Sequence, residues 1–477
     1  MLIQHSAIYL LTRLLVGLVA MATTAMLTRL LAPAVYGQFG LALVVMSFGA
    51  QTLFNWISVS FARLYQARRD DPRTLSTFVQ IYGLTAAGAA AAFLLAWACG
   101  ALSGDAARTY GVGVLLMWAY AWFELLAGFE VASFRPGVYL GMCLGRAVLI
   151  MVGACAAAWL TCDPLWTALG YGFGMLAASA MGRTRGWSLR PGRFDKALAQ
   201  QICRFGLPLA GCMVLSAIST SGTRLLVNEL DSAEALGLFT AAYLVVQSTL
   251  GVIAFGMVAA GYQLAVRAVE SGDQAAARRQ LVANASLLFA VIAPASLGMA
   301  LTADGLAQTI VGAKFSEEMA RLIPWLAAGQ FFESIRSCYF DHAFQLGHKS
   351  YYLAWIMGVT AAVSIGLGAW LIPSLGPVGA AVAMTVAAAV SCALGWLLGR
   401  RSYPMPIPYG ALARLLVACI VMSIVVLCLR GDGLLSLMLQ IFLGALAYGA
   451  VVLALDVMDL RALLFARLRQ GASHGRA

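Results

Sequence analysis

Arg13 stands inside an apolar run, 8–31, that is long enough to cross a bilayer. About 20 residues rising about 1.5 Å each span a hydrocarbon core of about 30 Å. A charge at mid-span costs roughly 2.5–3.5 kcal/mol on insertion scales, so a chain keeps one where it meets a wet cavity, a partner or a ligand. The flat guanidinium fork suits a bidentate phosphate contact. Gly17, Ala20, Thr24 and Thr28 follow Arg13 at helical spacing. That stripe suits either a cavity wall or a packing seam of small residues. A second stripe runs through Cys212, Ser216, Ser219 and Thr223, with Thr220, Arg224 and Asn228 beside it. Arg146 and Arg336 are further intramembrane cations, and Asn55 is an intramembrane amide. The candidate binding set is therefore Arg13, Thr24, Asn55, Arg146, Ser219, Arg224 and Arg336. Arg29 and Arg224 stand near span ends, where interfacial anchoring is the competing role.

The acidic residues sort differently. Glu333 and Arg336 are three apart and can meet on one helix face, as a structural pair or as a gate. Arg146 can pair with Glu124 or Glu130 across helices. Glu124 and Glu130 are six apart and point to different faces, so they do not form a paired-carboxylate catalytic site. Glu124, Glu130 and Glu333 remain candidates for a coupling proton or sodium ion. The histidines avoid span centres, which argues against a histidine relay. The ten cysteines form no CxxC pair and read as small apolar packing residues. No phosphate-binding loop of the P-loop type occurs, so this chain is not expected to use ATP, and no cofactor or metal is expected.

The elements that must carry these residues are apolar blocks. The 477 residues are 62% hydrophobic and 11% charged, against about 25% charged in a soluble domain. The blocks do not alternate, which excludes a transmembrane β-barrel. They segment into fourteen spans, at about 8–31, 38–62, 78–99, 110–132, 138–161, 165–182, 205–228, 237–262, 281–303, 319–341, 351–372, 377–399, 411–429 and 434–456. The first is too long for a signal-peptide core and carries Arg13, so it is expected to stay on the protein. With the N-terminus in the cytoplasm, 22 lysines and arginines fall in cytoplasmic loops and tail and 4 on the other side. That is a strong positive-inside bias, and an even span count puts both termini inside. The net charge of +11 therefore reports topology and contact with anionic lipid, not nucleic-acid binding. No loop is long enough to bury a catalytic domain, which argues against an enzyme.

The chain divides into two similar halves and a tail. Thr28-Arg-Leu-Leu31 precedes Gly37-Gln-Phe39, and Thr223-Arg-Leu-Leu226 precedes Gly237-Leu-Phe239. Ala42 and Ala242, then Val45 and Val245, continue the offset of 200. Six spans separate the copies, so the repeat is parallel, about an axis along the membrane normal. The expected units are 1–200, 201–402 and a terminal pair of spans in 403–477. Pro404, Pro406 and Pro408 favour an extended linker ahead of that pair.

Arg29-Leu-Leu-Ala-Pro-Ala-Val-Tyr-Gly-Gln-Phe-Gly40 resembles the first outer turn of bacterial polysaccharide exporters. Phe205-Gly-Leu-Pro208, Arg224 and Gly237-Leu-Phe-Thr-Ala-Ala-Tyr243 resemble the start of their second lobe. The family is the polysaccharide and O-antigen flippases of the multidrug/oligosaccharidyl-lipid/polysaccharide exporter superfamily. The resemblance implies an all-α fold of about fourteen transmembrane helices. Two six-helix lobes would flank a central cavity, with two C-terminal helices added. It implies alternating-access movement of a polyprenyl-diphosphate-linked oligosaccharide across the bacterial cytoplasmic membrane, for O-antigen, capsule or exopolysaccharide. It also implies membrane lipids, a glycan polymerase and other proteins of the biosynthetic complex as partners. On that reading the cavity is cationic, and Asn55, Gln51, Gln247 and Gln330 can meet glycan hydroxyls or bond between helices. Many relatives carry an acid directly before the arginine matching Arg224; here it is Thr223. A cation-coupled drug or metabolite antiporter of the same superfamily is the competing reading. Glycan identity and driving force are not readable from these residues.

Overall fold

The computed structural model describes residues 2–65, 68, 71–133, 135–182, 194–349, 351–431 and 433–457. The midpoint loop expected between the halves falls largely on 183–193, and the basic tail beyond 457, both outside the described residues.

Apolar blocks become helices because only a helix satisfies its own backbone polar groups within lipid. The first half holds α1 (Leu2–Leu30), α2 (Pro33–Gly49), α3 (Asn55–Leu64), α4 (Pro72–Ala98), α5 (Gly104–Ala132), α6 (Pro136–Thr161) and α7 (Pro164–Met181). The second holds α8 (Lys196–Ala217), α9 (Thr223–Leu230), α10 (Ala233–Val246), α11 (Val252–Glu270), α12 (Gln274–Leu301), α13 (Ala303–Ile310), α14 (Ala313–Ile335), α15 (Asp341–Leu346), α16 (Tyr351–Leu375) and α17 (Pro377–Gly399). The tail adds α18 (Tyr409–Cys428) and α19 (Gly433–Ala454). Four π-helical turns, Ala50–Phe54, Ile218–Gly222, Gln247–Gly251 and Arg336–Phe340, join α2 to α3, α8 to α9, α10 to α11 and α14 to α15. Among the described residues the result is fourteen long rods, at the fourteen positions expected, plus the short α13. Twelve rods are long and apolar enough to cross a membrane. The other two are α7, with 18 residues, and the 313–346 rod, which carries seven charged residues.

Rod starts follow local chemistry. Proline takes the first turn of α2, α4, α6, α7 and α17, where its missing N–H is harmless. Asp163, Asp195, Ser232 and Asp273 cap α7, α8, α10 and α12 by accepting backbone N–H bonds.

Two helical lobes meet along a central seam. In the first, α1 packs on α6, α6 on α7, and α5 on α2 and α7. In the second, α12 packs on α11 and α14, and α17 on α14 and α16. The lobes touch through α2 against α10, α1 against α11 and α3 against α8. The repeat glycines make the first contact possible. A methyl on Gly37 would overlap the Ala233 carbonyl oxygen, and one on Gly237 would overlap that of Pro33. Gly40 faces Thr240 one turn on, 3.2 Å from a Cβ to its hydroxyl. Tyr36 meets Phe315 edge-on at 5.6 Å, and Arg29 Nη2 donates to the Thr309 carbonyl at 2.8 Å. The seam is thus closed at the end of the rods that carries Leu31. In the tail, 404–408 is non-helical, in keeping with its three prolines. Tyr339 OH donates to the Pro406 carbonyl and Tyr448 OH to that of Ala290, which ties α19 to α12.

Candidate substrate cavity

Between the lobes lies a cavity of about 710 Å³, within the range that takes drug-sized ligands. Its wall draws on α2, α5 and α7 from one lobe and on α8 to α11, α14, α16 and α17 from the other. All four π-helical turns reach it, through Gln51, through Ser219, Thr220 and Ser221, through Gln247 and Gly251, and through Ser337 and Cys338. A π-turn inserts a residue into a helix and re-aims the side chains after it, which is why such turns gather at functional sites. The wall is mostly neutral and polar. Among the described residues, Arg224 and Glu333 are the charged side chains that line it.

Arg224 is buried, 6% exposed. Its Nη2 donates to Ser47 Oγ at 3.4 Å and Ser221 Oγ at 3.2 Å, and its Nε to the Thr220 carbonyl at 3.3 Å. The guanidinium lies 4.8 Å from the Tyr243 ring centroid. Ser47 belongs to the first lobe, so Arg224 ties the lobes together. None of these partners is a carboxylate. Its repeat counterpart Arg29 ends up elsewhere, exposed at the end of α1. The reason is spacing: thirteen positions separate Arg224 from Gly237, against eight between Arg29 and Gly37. The extra residues extend α9 beyond its arginine.

Glu333 faces the cavity with its side chain 41% exposed. It accepts from Arg336 Nη2 at 2.5 Å and Nε at 3.2 Å. Arg336, 4% exposed, also donates to Asp341 Oδ2 at 2.6 Å. One guanidinium therefore serves two carboxylates. Asp341 Oδ1 is buried and has no hydrogen-bond partner.

The remaining candidates lie outside this wall. Arg146 Nη1 donates to Glu124 Oε1 at 2.9 Å and stacks 4.3 Å over Phe123, behind the cavity residue Tyr120. Glu130 is fully buried, and neither oxygen has a hydrogen-bond partner. Asn55 is exposed at the start of α3. Thr24 is buried and donates to the Ala20 carbonyl at 3.2 Å. Gly17 packs 2.5 Å, from a Cβ, against the Ser248 carbonyl oxygen, so the stripe on α1 meets the second lobe as a seam. Arg13 is exposed one turn earlier on α1, which packs on α6. Of the candidates, Arg224, Ser219 and Glu333 share the cavity, with Arg336 behind Glu333. Gln51, Gln247 and Gln330 share it too. The wall is less cationic than the resemblance implies.

Reading the sequence missed Asp341, Tyr243 and the π-turns. Mid-span runs of small polar residues, such as Ile218-Ser-Thr-Ser-Gly222, are the signal that marks the turns.

Helices in two lobes around a polar seam, twelve of the rods long and apolar enough to cross a membrane, define an all-α protein of the polytopic membrane type. Residues 169–320 match the model of a family described as polysaccharide biosynthesis protein. The lipid II flippase MurJ in an inward closed conformation is similar over 97% of this chain and 100% of its own, at 13% identity and a TM-score of 0.75. An inward-facing multidrug resistance transporter of the MATE family is similar over 82% of this chain and 97% of its own, at 14% identity and a TM-score of 0.57. A transporter of the same superfamily from Pyrococcus furiosus covers 83% of this chain and 95% of its own, at 14% identity and a TM-score of 0.59. No curated protein sequence matches. The chain has the fold of the multidrug/oligosaccharidyl-lipid/polysaccharide exporter superfamily. The matched segment, 169–320, contains Phe205–Tyr243, which carry part of the resemblance drawn from the sequence.

Proposed function

We propose that this protein is a flippase for polyprenyl-diphosphate-linked oligosaccharides in the bacterial cytoplasmic membrane, with both termini in the cytoplasm. One observation carries the reading: Arg224 stands buried in an inter-lobe cavity among hydroxyls, with no carboxylate partner among the described residues. A diphosphate offers that fork the bidentate anion it lacks. The glycan would occupy the hydroxyl- and amide-lined space while the polyprenyl tail stays in lipid. Taking the Arg224 fork removes its bond to Ser47, so substrate binding loosens a tie between the lobes. Rocking would then open the Gly37–Gly237 seam toward the outer leaflet and close the opposite side. The lobes bind, orient and release, and no covalent step is assigned.

Glu333 favours a second reading, a cation-coupled antiporter, because it places an acid on the cavity wall. Purified protein in liposomes separates the two. Faster crossing of a labelled polyprenyl-diphosphate oligosaccharide supports the flippase. No crossing, together with exchange of an organic cation for protons in the same vesicles, supports the antiporter.

A further inference from the structure

We infer that Glu333 is a selectivity residue that restricts the carried oligosaccharide to neutral sugars and disfavours uronic acids or other carboxylate-bearing units. This rests on the flippase reading above and names the class of glycan. Arg224 and Glu333 are the charged lining groups among the described residues, and they stand at different depths. The Arg224 guanidinium meets Ser47 and Tyr243, about 21 Å and about 15 Å along their rods from the Leu31 end, and Glu333 is about 30 Å along its own, at about 1.5 Å per residue. A diphosphate on Arg224 takes up the cation that has no acid of its own. The glycan then lies along the rest of the wall. Arg336 is no second anion site, because it is shared between Glu333 and Asp341 and sits behind Glu333. Of these two carboxylates, the cavity-facing one is Glu333.

The neutral groups point the same way. Gln330 and Gln247 bring amide groups to the same wall as Glu333. The amides can donate or accept, whereas the Glu333 oxygens accept and do not donate. Sugar hydroxyls donate to such oxygens. An ionised uronate cannot, and it meets Glu333 as a like charge. A uronate therefore enters without a cation to pair it.

The test uses two polyprenyl-diphosphate oligosaccharides of equal length, one of neutral hexoses and one with a single glucuronic acid in place of a hexose. Crossing is followed in liposomes for the wild type, Glu333→Gln and Glu333→Asp. The wild type should move the neutral substrate at least tenfold faster. Glu333→Gln should shrink that ratio by raising the rate for the uronate, and Glu333→Asp should keep it. The wild-type ratio needs no variant, so a Glu333→Gln protein that fails to fold leaves the proposal exposed to refutation. Equal or reversed rates in the wild type overturn the selectivity while the flippase stands. A ratio unchanged in folded Glu333→Gln overturns the role of Glu333. Crossing of neither substrate overturns the flippase reading and the selectivity with it.

Discussion

Arg224 is the residue whose surroundings ask for an anion. Hydrogen bonds to a charged group contribute about 1.5–3 kcal/mol, so Arg224→Ala should slow substrate crossing by roughly 10- to 100-fold. Arg224→Lys should retain part of the rate, since it keeps the charge and loses the fork. Ser47, Ser221 and Tyr243 keep their helices in either variant, and the melting temperature of the purified protein reads any loss of fold. Arg146 and Glu124 behave as a structural pair. Arg146→Ala should cost about 1–3 kcal/mol by leaving Glu124 without its cation, and Arg146→Met with Glu124→Gln should recover most of the loss. A melting curve in which the double variant is worse than either single one contradicts this. At this scale the sequence showed which charges are intramembrane and that Arg146–Glu124 and Glu333–Arg336 can pair. It did not show Asp341 on Arg336. Residues five apart lie on different faces of an α-helix, and only the π-turn at Arg336–Phe340 brings them together. Nor did it place Arg13, because an amphipathic stripe does not say which neighbour it meets.

Elements follow hydropathy closely, because a rod that crosses lipid must be long, apolar and internally bonded. All fourteen expected spans coincide with rods, and several rods run on past the apolar stretch into polar turns, as α4 does from Pro72. The π-turns escape a span-by-span hydropathy reading, since each inserts one residue without interrupting its rod, and their mark is the short polar run within the span. The Gly-x-Phe repeat, by contrast, has a direct physical cause in the α2–α10 crossing. Gly237→Val should hold that seam apart without dismantling either lobe. A membrane-impermeant thiol reagent added on the Leu31 side should then reach Ser219→Cys, in a background without reactive native cysteines. Labelling as slow as in the parent Ser219→Cys protein contradicts the seam as an outer closure. Asp195 is an element-scale device at the other end. Its Oδ1 accepts from Leu198 N at 3.0 Å and Ala197 N at 2.9 Å, and its Oδ2 from Arg68 Nη1 at 3.2 Å. The Leu198 N–H above all, with Ala197 and Arg68, holds its carboxyl below the ordinary value. A carboxylate depressed in the fold stabilises above its unfolded value of about 3.9 and ceases to as pH falls through its folded one. Wild type should therefore melt higher than Asp195→Asn at pH 7, with the gap closing in acid. A gap that stays constant down to pH 3 contradicts the cap.

The whole molecule is two lobes closed on each other at one end, with a polar cavity between them and an extra pair of helices bound to α12. The internal repeat places Gly37 and Gly237 against each other at the seam, while the charges are asymmetric about it, as the absence of an Arg13 counterpart in the second half implies. Arg29 and Arg224 share a motif and differ in place because their loops differ in length. The cavity is consequently charged at one lobe's arginine and one acid, and not along a cationic groove. The central claim is that this cavity moves a diphosphate-linked glycan across the bilayer with Arg224 as its anion contact. The most direct measurement is the rate at which a labelled polyprenyl-diphosphate oligosaccharide becomes accessible in the opposite leaflet of liposomes holding wild type, Arg224→Ala or Arg146→Met/Glu124→Gln. The account predicts rapid crossing for the wild type and the double variant and at least a tenfold loss for Arg224→Ala. Crossing that is unchanged in a folded Arg224→Ala protein, or absent in the wild type, contradicts it.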